Sequence, residues 1–168
     1  MSVGAMSQAD PGACPYASRT VVTPKKDGMI RMCVDYRDVN AQTDKDSVPL
    51  PRIHHVWPTL SRARFFASLD LLMGFDQVEV DQRDKDKTPF LTHCGIYVYN
   101  VMLFGLSNAP ATFQRLMENV LGDLFGLGVF GYIDDVLIYA ETPEQLIDIL
   151  SAVFKLLVSA GLKCKASK

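Results

Sequence analysis

Two adjacent carboxylates, Asp134 and Asp135, interrupt an apolar stretch that otherwise runs from Gly128 to Ala140. Gly128-Val129-Phe130-Gly131-Tyr132-Ile133 stands on one side and Val136-Leu137-Ile138-Tyr139-Ala140 on the other. Both runs are short and rich in β-branched and aromatic residues, which predicts two buried strands with the Asp pair at or beside the tip of a hairpin. Asp-Asp is a tolerable turn dipeptide, so a solvated loop satisfies the pattern. A chemical reading satisfies it too. Two carboxylates held close in a partly buried site disfavour each other's ionisation, and bound divalent cations remove that cost. The hairpin alone leaves both readings open.

The chain has 168 residues, enough for one domain with a core. No apolar stretch approaches the roughly 20 residues of a membrane span. Met1 to Ala13 is small and polar, lacks the basic start and apolar block of a signal peptide, and is expected to be disordered. A cytoplasmic or nuclear location is therefore expected, without a membrane partner. Cys14, Cys33, Cys94 and Cys164 are scattered and form no zinc spacing, so free thiols are expected, and His54, His55 and His93 form no ligand set. The net charge of −2 is unusual for a nucleic-acid binder. Between Arg19 and Arg37, however, Arg19, Lys25, Lys26, Arg31 and Arg37 outnumber Asp27 and Asp35, which permits a polyanionic partner.

Ser18 to Val22 and Ile30 to Tyr36 read as strands joined by a turn of Pro24, Lys25, Lys26, Asp27 and Gly28. The cations of that small hairpin fit either a solvated turn or a phosphate clamp. Residues 38 to 52 read as an extended connector, and Pro58 is expected to break or kink a helix over Ile53 to Leu60. The apolar run from Ala63 to Leu72 has strand length and carries one carboxylate, Asp70, which needs a partner if buried. Gly74-Phe75 suggests a sharp turn presenting an aromatic ring, and Arg83 to Lys87 reads as solvated surface. Phe90 to Thr92 and Tyr97 to Leu103 predict two strands about Cys94-Gly95. The loop from Phe104 to Pro110 leads into a helix that Ser107 or Asn108 can cap, with Pro110 in its first turn. Phe113, Leu116, Met117, Val120, Leu121 and Leu124 form its apolar stripe, and Gln114, Arg115 and Glu118 its opposite face. Thr142-Pro143-Glu144-Gln145 is a strong helix start, followed by a stripe of Leu146, Ile149, Leu150, Val153, Phe154 and Leu157 up to Gly161. Helices packed on one face of an antiparallel sheet make an α+β fold.

Several stretches together resemble the reverse transcriptase of gypsy-class long-terminal-repeat retrotransposons. They are Cys14 to Ser18, Lys25 to Gly28, Cys33 to Asn40, Pro49 to Ile53, Ser68 to Val78, Phe104 to Met117, Tyr132 to Tyr139 and Ala160 to Lys168. The likeness covers about residues 14 to 168, with the motifs in the family's order. It implies a fingers-palm domain lacking thumb, connection and ribonuclease H, with RNA- and DNA-templated DNA synthesis as its activity. It further implies that Asp70, Asp134 and Asp135 are catalytic and, with the main-chain carbonyl of Leu71, hold two Mg²⁺ ions, for which Mn²⁺ can substitute. Deoxynucleoside triphosphates would meet Lys25, Arg31, Leu72, Gly74, Phe75, Phe104 and Gly105, with Phe75 as the aromatic gate that excludes a 2′-hydroxyl. A primed RNA or DNA template would meet Asn108, Pro110, Gln114 and Tyr132.

The chain also departs from the family pattern. Arg19 and Thr20 replace Pro-Val, His54 and His55 replace an acidic pair, Pro58 falls in a usual helix, Leu91 replaces Arg and Leu103 replaces Pro. Two other readings therefore stay open. One is a truncated remnant that folds and at most binds nucleic acid or protein. The other is an α+β domain whose carboxylates are only surface loops.

Overall fold

Strand-forming and helix-forming segments alternate along the chain, and contacts divide them into two units, Met1–Asp46 with Phe75–Ala109 and Ser47–Gly74 with Pro110–Lys168. The structure is a computed structural model. It describes residues 5–9, 14, 16–24, 28, 30–46 and 57–165, the side chains of Arg31 and Thr59 excepted. The expectations for Lys25, for the Arg31 side chain, for 49–53 and for His54 and His55 lie outside the described residues. No helix is long and apolar enough to cross a membrane among the described residues. Cys14, Cys33, Cys94 and Cys164 are free thiols.

The first unit is built on a five-stranded sheet. Its strands are β1 (Met6–Gln8), β2 (Ser18–Pro24), β3 (Ile30–Asp35), β5 (Phe90–Thr92) and β6 (Gly95–Tyr99), in the order β1-β6-β5-β2-β3. The hairpin β2–β3 pairs from Arg19↔Asp35 to Pro24↔Ile30, close to the expected bounds. β2 lies parallel to β5 through Ser18↔Phe90 and Arg19↔Leu91, a pairing that no local pattern announces. Thr20 and Leu91, two of the departures from the family, meet there, the Thr20 hydroxyl donating to the Leu91 carbonyl at 2.9 Å. Leu103, a third, is buried with Tyr36, Phe90 and Tyr99 in this unit's core.

Two expectations for this unit are corrected, and a third holds. Met6–Gln8, expected to be disordered, pair with Tyr97–Tyr99 of β6, because a three-residue strand draws its order from the partner's edge. Residues 38–42, expected to be extended, belong to helix α1 (Arg37–Gln42), a stretch too short to display helical periodicity. The charged run begins with another short helix, α3 (Gln82–Lys85), whose Asp81 cap accepts from the Arg83 N–H, and it is exposed as expected apart from the half-buried Lys85.

The second unit holds a three-stranded antiparallel sheet of β4 (Phe65–Asp70), β7 (Val129–Tyr132) and β8 (Asp135–Ala140), in the order β4-β8-β7. Val136 and Ile138 of the central strand are fully buried, as expected of a strand flanked on both edges. Helices α4 (Ala109–Leu121) and α5 (Pro143–Ser159) belong to this unit, and α5 packs on β4 and β8. The α5 start forms as its residues dictate. Thr142 accepts from the Gln145 N–H at 3.3 Å and Pro143 occupies the first turn. Its stripe buries Val153 and Leu157, but Phe154, at the stripe's margin, is 40% exposed. Pro58 lies within α2 (Trp57–Leu60), while residues 53–56, over which the expected helix also runs, lie outside the described residues.

Candidate active site

In the second unit, the register of the sheet brings the three acidic positions to one end. Tyr132 pairs with Asp135, so the β7–β8 hairpin turns on two residues, Ile133 and Asp134. Asp135 is the first residue of β8 and sits directly opposite Asp70, the last residue of β4. Directly opposed residues project to the same face with Cα atoms about 4.5–5.5 Å apart. Asp134 is joined to the same spot through the main chain, its carbonyl accepting from the Leu71 N–H at 3.0 Å. Asp70 and Asp134 are half-buried, Asp135 is exposed, and Leu71 is buried.

The other side of the Asp70 segment is closed by the chain's last described residues. Leu72 N–H donates to the Lys163 carbonyl at 2.9 Å and Lys165 N–H to the Asp70 carbonyl at 2.8 Å, around a bridge between Leu71 and Cys164. Burial, and after it the charge of Asp70, pushes the Cys164 thiol above its ordinary pKa. Asp70 is thus held between β8 and the bridged 163–165 segment, which fixes where its side chain starts.

The hairpin turn is strained. Ile133 has φ of 54°, a left-handed conformation that is an outlier for a β-branched residue and costs on the order of 1–3 kcal/mol. Gln114 holds this turn. Its Oε1 accepts from the Ile133 N–H at 3.0 Å, and its Nε2 donates to the Gly131 carbonyl at 3.2 Å and to Glu118 Oε1 at 3.0 Å. Gln114 is fully buried, which corrects the expectation that it faces a template. The signal was present in the sequence. At 100° per residue Gln114 lies only about 20° around α4 from Leu121, beside the apolar stripe rather than across from it. Gly131 packs under α4, where even a Cβ would make ordinary contact with Leu121 and Phe125 side-chain atoms at 3.4 Å.

In the first unit, Phe75 lies in a 3-10 turn, Gly74–Gln77, that begins at the last residue of the second unit. Its ring is buried rather than presented to solvent, and it meets the exposed Phe104 ring edge-on, with centroids 4.6 Å apart at 86°. Gly105 follows at φ 98°, a conformation only glycine adopts freely. Asn40 of α1 pins this loop, donating to the Gly105 carbonyl at 2.7 Å and accepting from the Ser107 N–H at 2.8 Å. Sequence reasoning had not assigned Asn40 a role. Asn108 uses its amide on the neighbouring chain, donating to the Asp44 carbonyl and accepting from the Asp46 N–H. It therefore ties down the loop instead of standing open to a ligand. Pro110 is the second residue of α4, while Leu72 and Tyr132 are exposed at 45% each.

Among the described residues, no group of three or more His, Cys, Asp or Glu side chains is placed so that it could hold a metal ion. What the fold supplies is registration, with Asp70 opposite Asp135 and Asp134 one residue away. The donor set is all oxygen, which suits hard cations such as Mg²⁺, and like charges on directly opposed strand positions repel. The residues therefore fit a divalent cation in kind, and the strand register brings two of them to directly opposed positions.

The profile of the reverse transcriptase (RNA-dependent DNA polymerase) family matches residues 23–168. The chain is 38% identical over 159 residues to the retrovirus-related Pol polyprotein from transposon 297 of Drosophila melanogaster, covering 92% of this chain and 15% of that protein. It is 33% identical over 164 residues to the corresponding polyprotein from transposon gypsy of the same organism, covering 94% of this chain and 16% of that protein. An RNA-directed DNA polymerase homolog of Oenothera berteroana is 41% identical over 117 residues, 70% of this chain and 82% of that protein. Among solved structures, the native prototype foamy virus protease-reverse transcriptase shares the fold at a TM-score of 0.84 and 24% identity, covering 96% of this chain and 21% of that one. The foamy viral protein in complex with an RNA/DNA hybrid gives 0.85 at 25% identity over the same shares. The chain thus spans about a sixth of the length of the Pol polyproteins it matches.

Proposed function

This chain belongs to the reverse transcriptase family, and from that premise we propose that it adds deoxynucleotides to a primer 3′-hydroxyl on an RNA or DNA template. The observation that carries the proposal is the register that sets Asp70 opposite Asp135 and bonds Leu71 to Asp134. Asp70, Asp134 and Asp135, with the Leu71 main-chain carbonyl, would hold two Mg²⁺ ions. Bound there, the ions would lower the pKa of the attacking hydroxyl and neutralise charge at the triphosphate.

The protein's own part is positioning. No side chain forms a covalent bond to substrate, and the rate depends on how firmly the carboxylates and the nucleotide are placed. β4 and β8 are rigid supports for two of the carboxylates, and the hairpin turn carries the third. Phe75 excludes a 2′-hydroxyl by its bulk, and the Phe104-Gly105 loop, anchored by Asn40, borders the nucleotide. Lys25 and Arg31 contact the triphosphate, and the basic excess between Arg19 and Arg37 supports that assignment. A duplex template fits this reading because the foamy viral relative was solved with dsDNA and with an RNA/DNA hybrid.

The test is Mg²⁺- or Mn²⁺-dependent primer extension on an RNA template, by the chain alone and joined to the downstream segment of a relative. Asp134→Asn is expected to lower extension by at least about a hundredfold, the usual scale for losing a transition-state charge stabiliser. An Asp134→Asn protein that extends primers as well as the parent would falsify the proposal.

A further inference from the structure

Gln114 combines three properties that a contact to nucleic acid would not need. It is a polar side chain with no exposed surface, its carboxamide bonds three partners, and two of those partners flank Tyr132 in the strained hairpin. We propose that Gln114 is a positioning residue that holds the Ile133–Asp134 turn in its left-handed conformation, and so sets where the Asp134 carboxylate starts. The inference rests on the proposed function for the meaning of that carboxylate, but not for the geometry.

The amide can be oriented only one way. Ile133 offers an N–H, which needs Oε1, while the Gly131 carbonyl and the Glu118 carboxylate both need a donor, which Nε2 supplies with its two hydrogens. Of the twenty side chains only glutamine combines this acceptor, this pair of donors and this reach. Glu118 orients the amide. By accepting one Nε2 hydrogen it fixes the amide plane, leaving the other hydrogen aimed at Gly131. A β-branched residue at φ 54° persists only where its surroundings over-determine it, and the bond to the Ile133 N–H is such a constraint. Asp134 follows Ile133 directly, so relaxation of Ile133 toward negative φ would swing the Asp134 side chain away from Asp70 and Asp135.

The unmodified chain permits a first test. Both Gln114 Nε2 hydrogens and the Ile133 amide hydrogen should be protected from solvent exchange in nuclear magnetic resonance spectra. Exchange at the rate of exposed amides at these sites overturns the inference. A second test uses Gln114→Met, which keeps length and removes all three bonds. The Ile133 amide should exchange about tenfold faster or more. Mn²⁺ affinity, read by water-proton relaxation, should fall by a similar factor, with affinity for an RNA/DNA hybrid unchanged. Weaker hybrid binding with unchanged Mn²⁺ affinity would make Gln114 a template contact and overturn the inference. A lower melting temperature with Mn²⁺ affinity unchanged would make it a mere core residue, also overturning it.

Rescue separates positioning from general stability. Glycine accepts φ above zero without a Cβ penalty. Gln114→Met combined with Ile133→Gly should therefore regain Mn²⁺ affinity relative to Gln114→Met alone, and failure to regain it counts against the inference. The Asp134→Asn experiment reports on the proposed function, whereas the Ile133 amide reports on Gln114, so the two can fail separately.

Discussion

Gly74 and Asp134 stand so close that a side chain on the first would collide with the second. A Cβ on Gly74 would lie 3.0 Å from the Asp134 Cβ and 3.1 Å from Phe113 Cζ. Neither neighbour is the loose end of a flexible chain. The Asp134 Cβ is attached directly to a constrained turn, and Phe113 is fully buried in α4. Gly74→Ala should therefore destabilise the chain by about 1–3 kcal/mol in urea unfolding, the usual cost of overpacking. It should also displace Asp134 and depress divalent-cation-dependent primer extension more than the lost stability explains. Unchanged unfolding and unchanged extension would show that the contact relaxes freely.

Phe104 supports Phe75 from the solvent side, edge against face. Such a pair is worth about 0.5–1.5 kcal/mol beyond its buried area, so Phe104→Ala should cost about two- to tenfold in discrimination against ribonucleotides. Phe75→Val should cost more, because it removes the proposed gate itself rather than its support. The measurement is the ratio of single-nucleotide incorporation rates for deoxy- and ribonucleoside triphosphates. A Phe104→Ala ratio equal to the parent's, beside an altered Phe75→Val ratio, would confine sugar selection to Phe75.

Asp35 ends β3 and Arg37 begins α1, and the two side chains meet in a paired contact of 2.6 and 2.9 Å. The side-chain bonds from Arg37, and after them its backbone N–H, lower the Asp35 carboxyl from 3.8 to about 2. A folded-state pKa below the unfolded one contributes stability that is present above pH 3.8 and lost as pH falls toward about 2. Amide protection in α1 should fade across that window, and Arg37→Ala should return the Asp35 titration toward 3.8. Arg37 is exposed and Asp35 half-buried, so 1 M salt should weaken the effect. Carbon-detected titration of the Asp35 carboxyl decides the matter. A midpoint near 3.8 in the parent chain would mean that the pair does not persist in solution.

Part of this architecture was legible residue by residue. The β7–β8 hairpin, the Asp70 strand, the cap and proline that start α5 and the two apolar helix stripes all follow from local chemistry, because propensity, periodicity and capping act over a few neighbours. The parallel pairing of β2 with β5 does not, since it joins residues some 70 positions apart. Nor does the strand at Met6–Gln8, which has too few residues to carry a pattern. Gln114 was misplaced for a different reason. A polar residue beside an apolar stripe is usually solvated, and only the backbone groups of a distant hairpin make burying it favourable.

The amino-acid sequence by itself determined the parts of this protein: an acidic pair between two strands, a lone aspartate within a third, helices with defined ends, and a motif order shared with reverse transcriptases. Tertiary structure alone decided that Asp70 faces Asp135, that Gly74 makes room for Asp134 and that Gln114 grips the turn between the strands. The reason is physical. Local preferences are set by each residue's own backbone and side chain, whereas strand register and the filling of buried polar groups depend on which distant segments fold against each other.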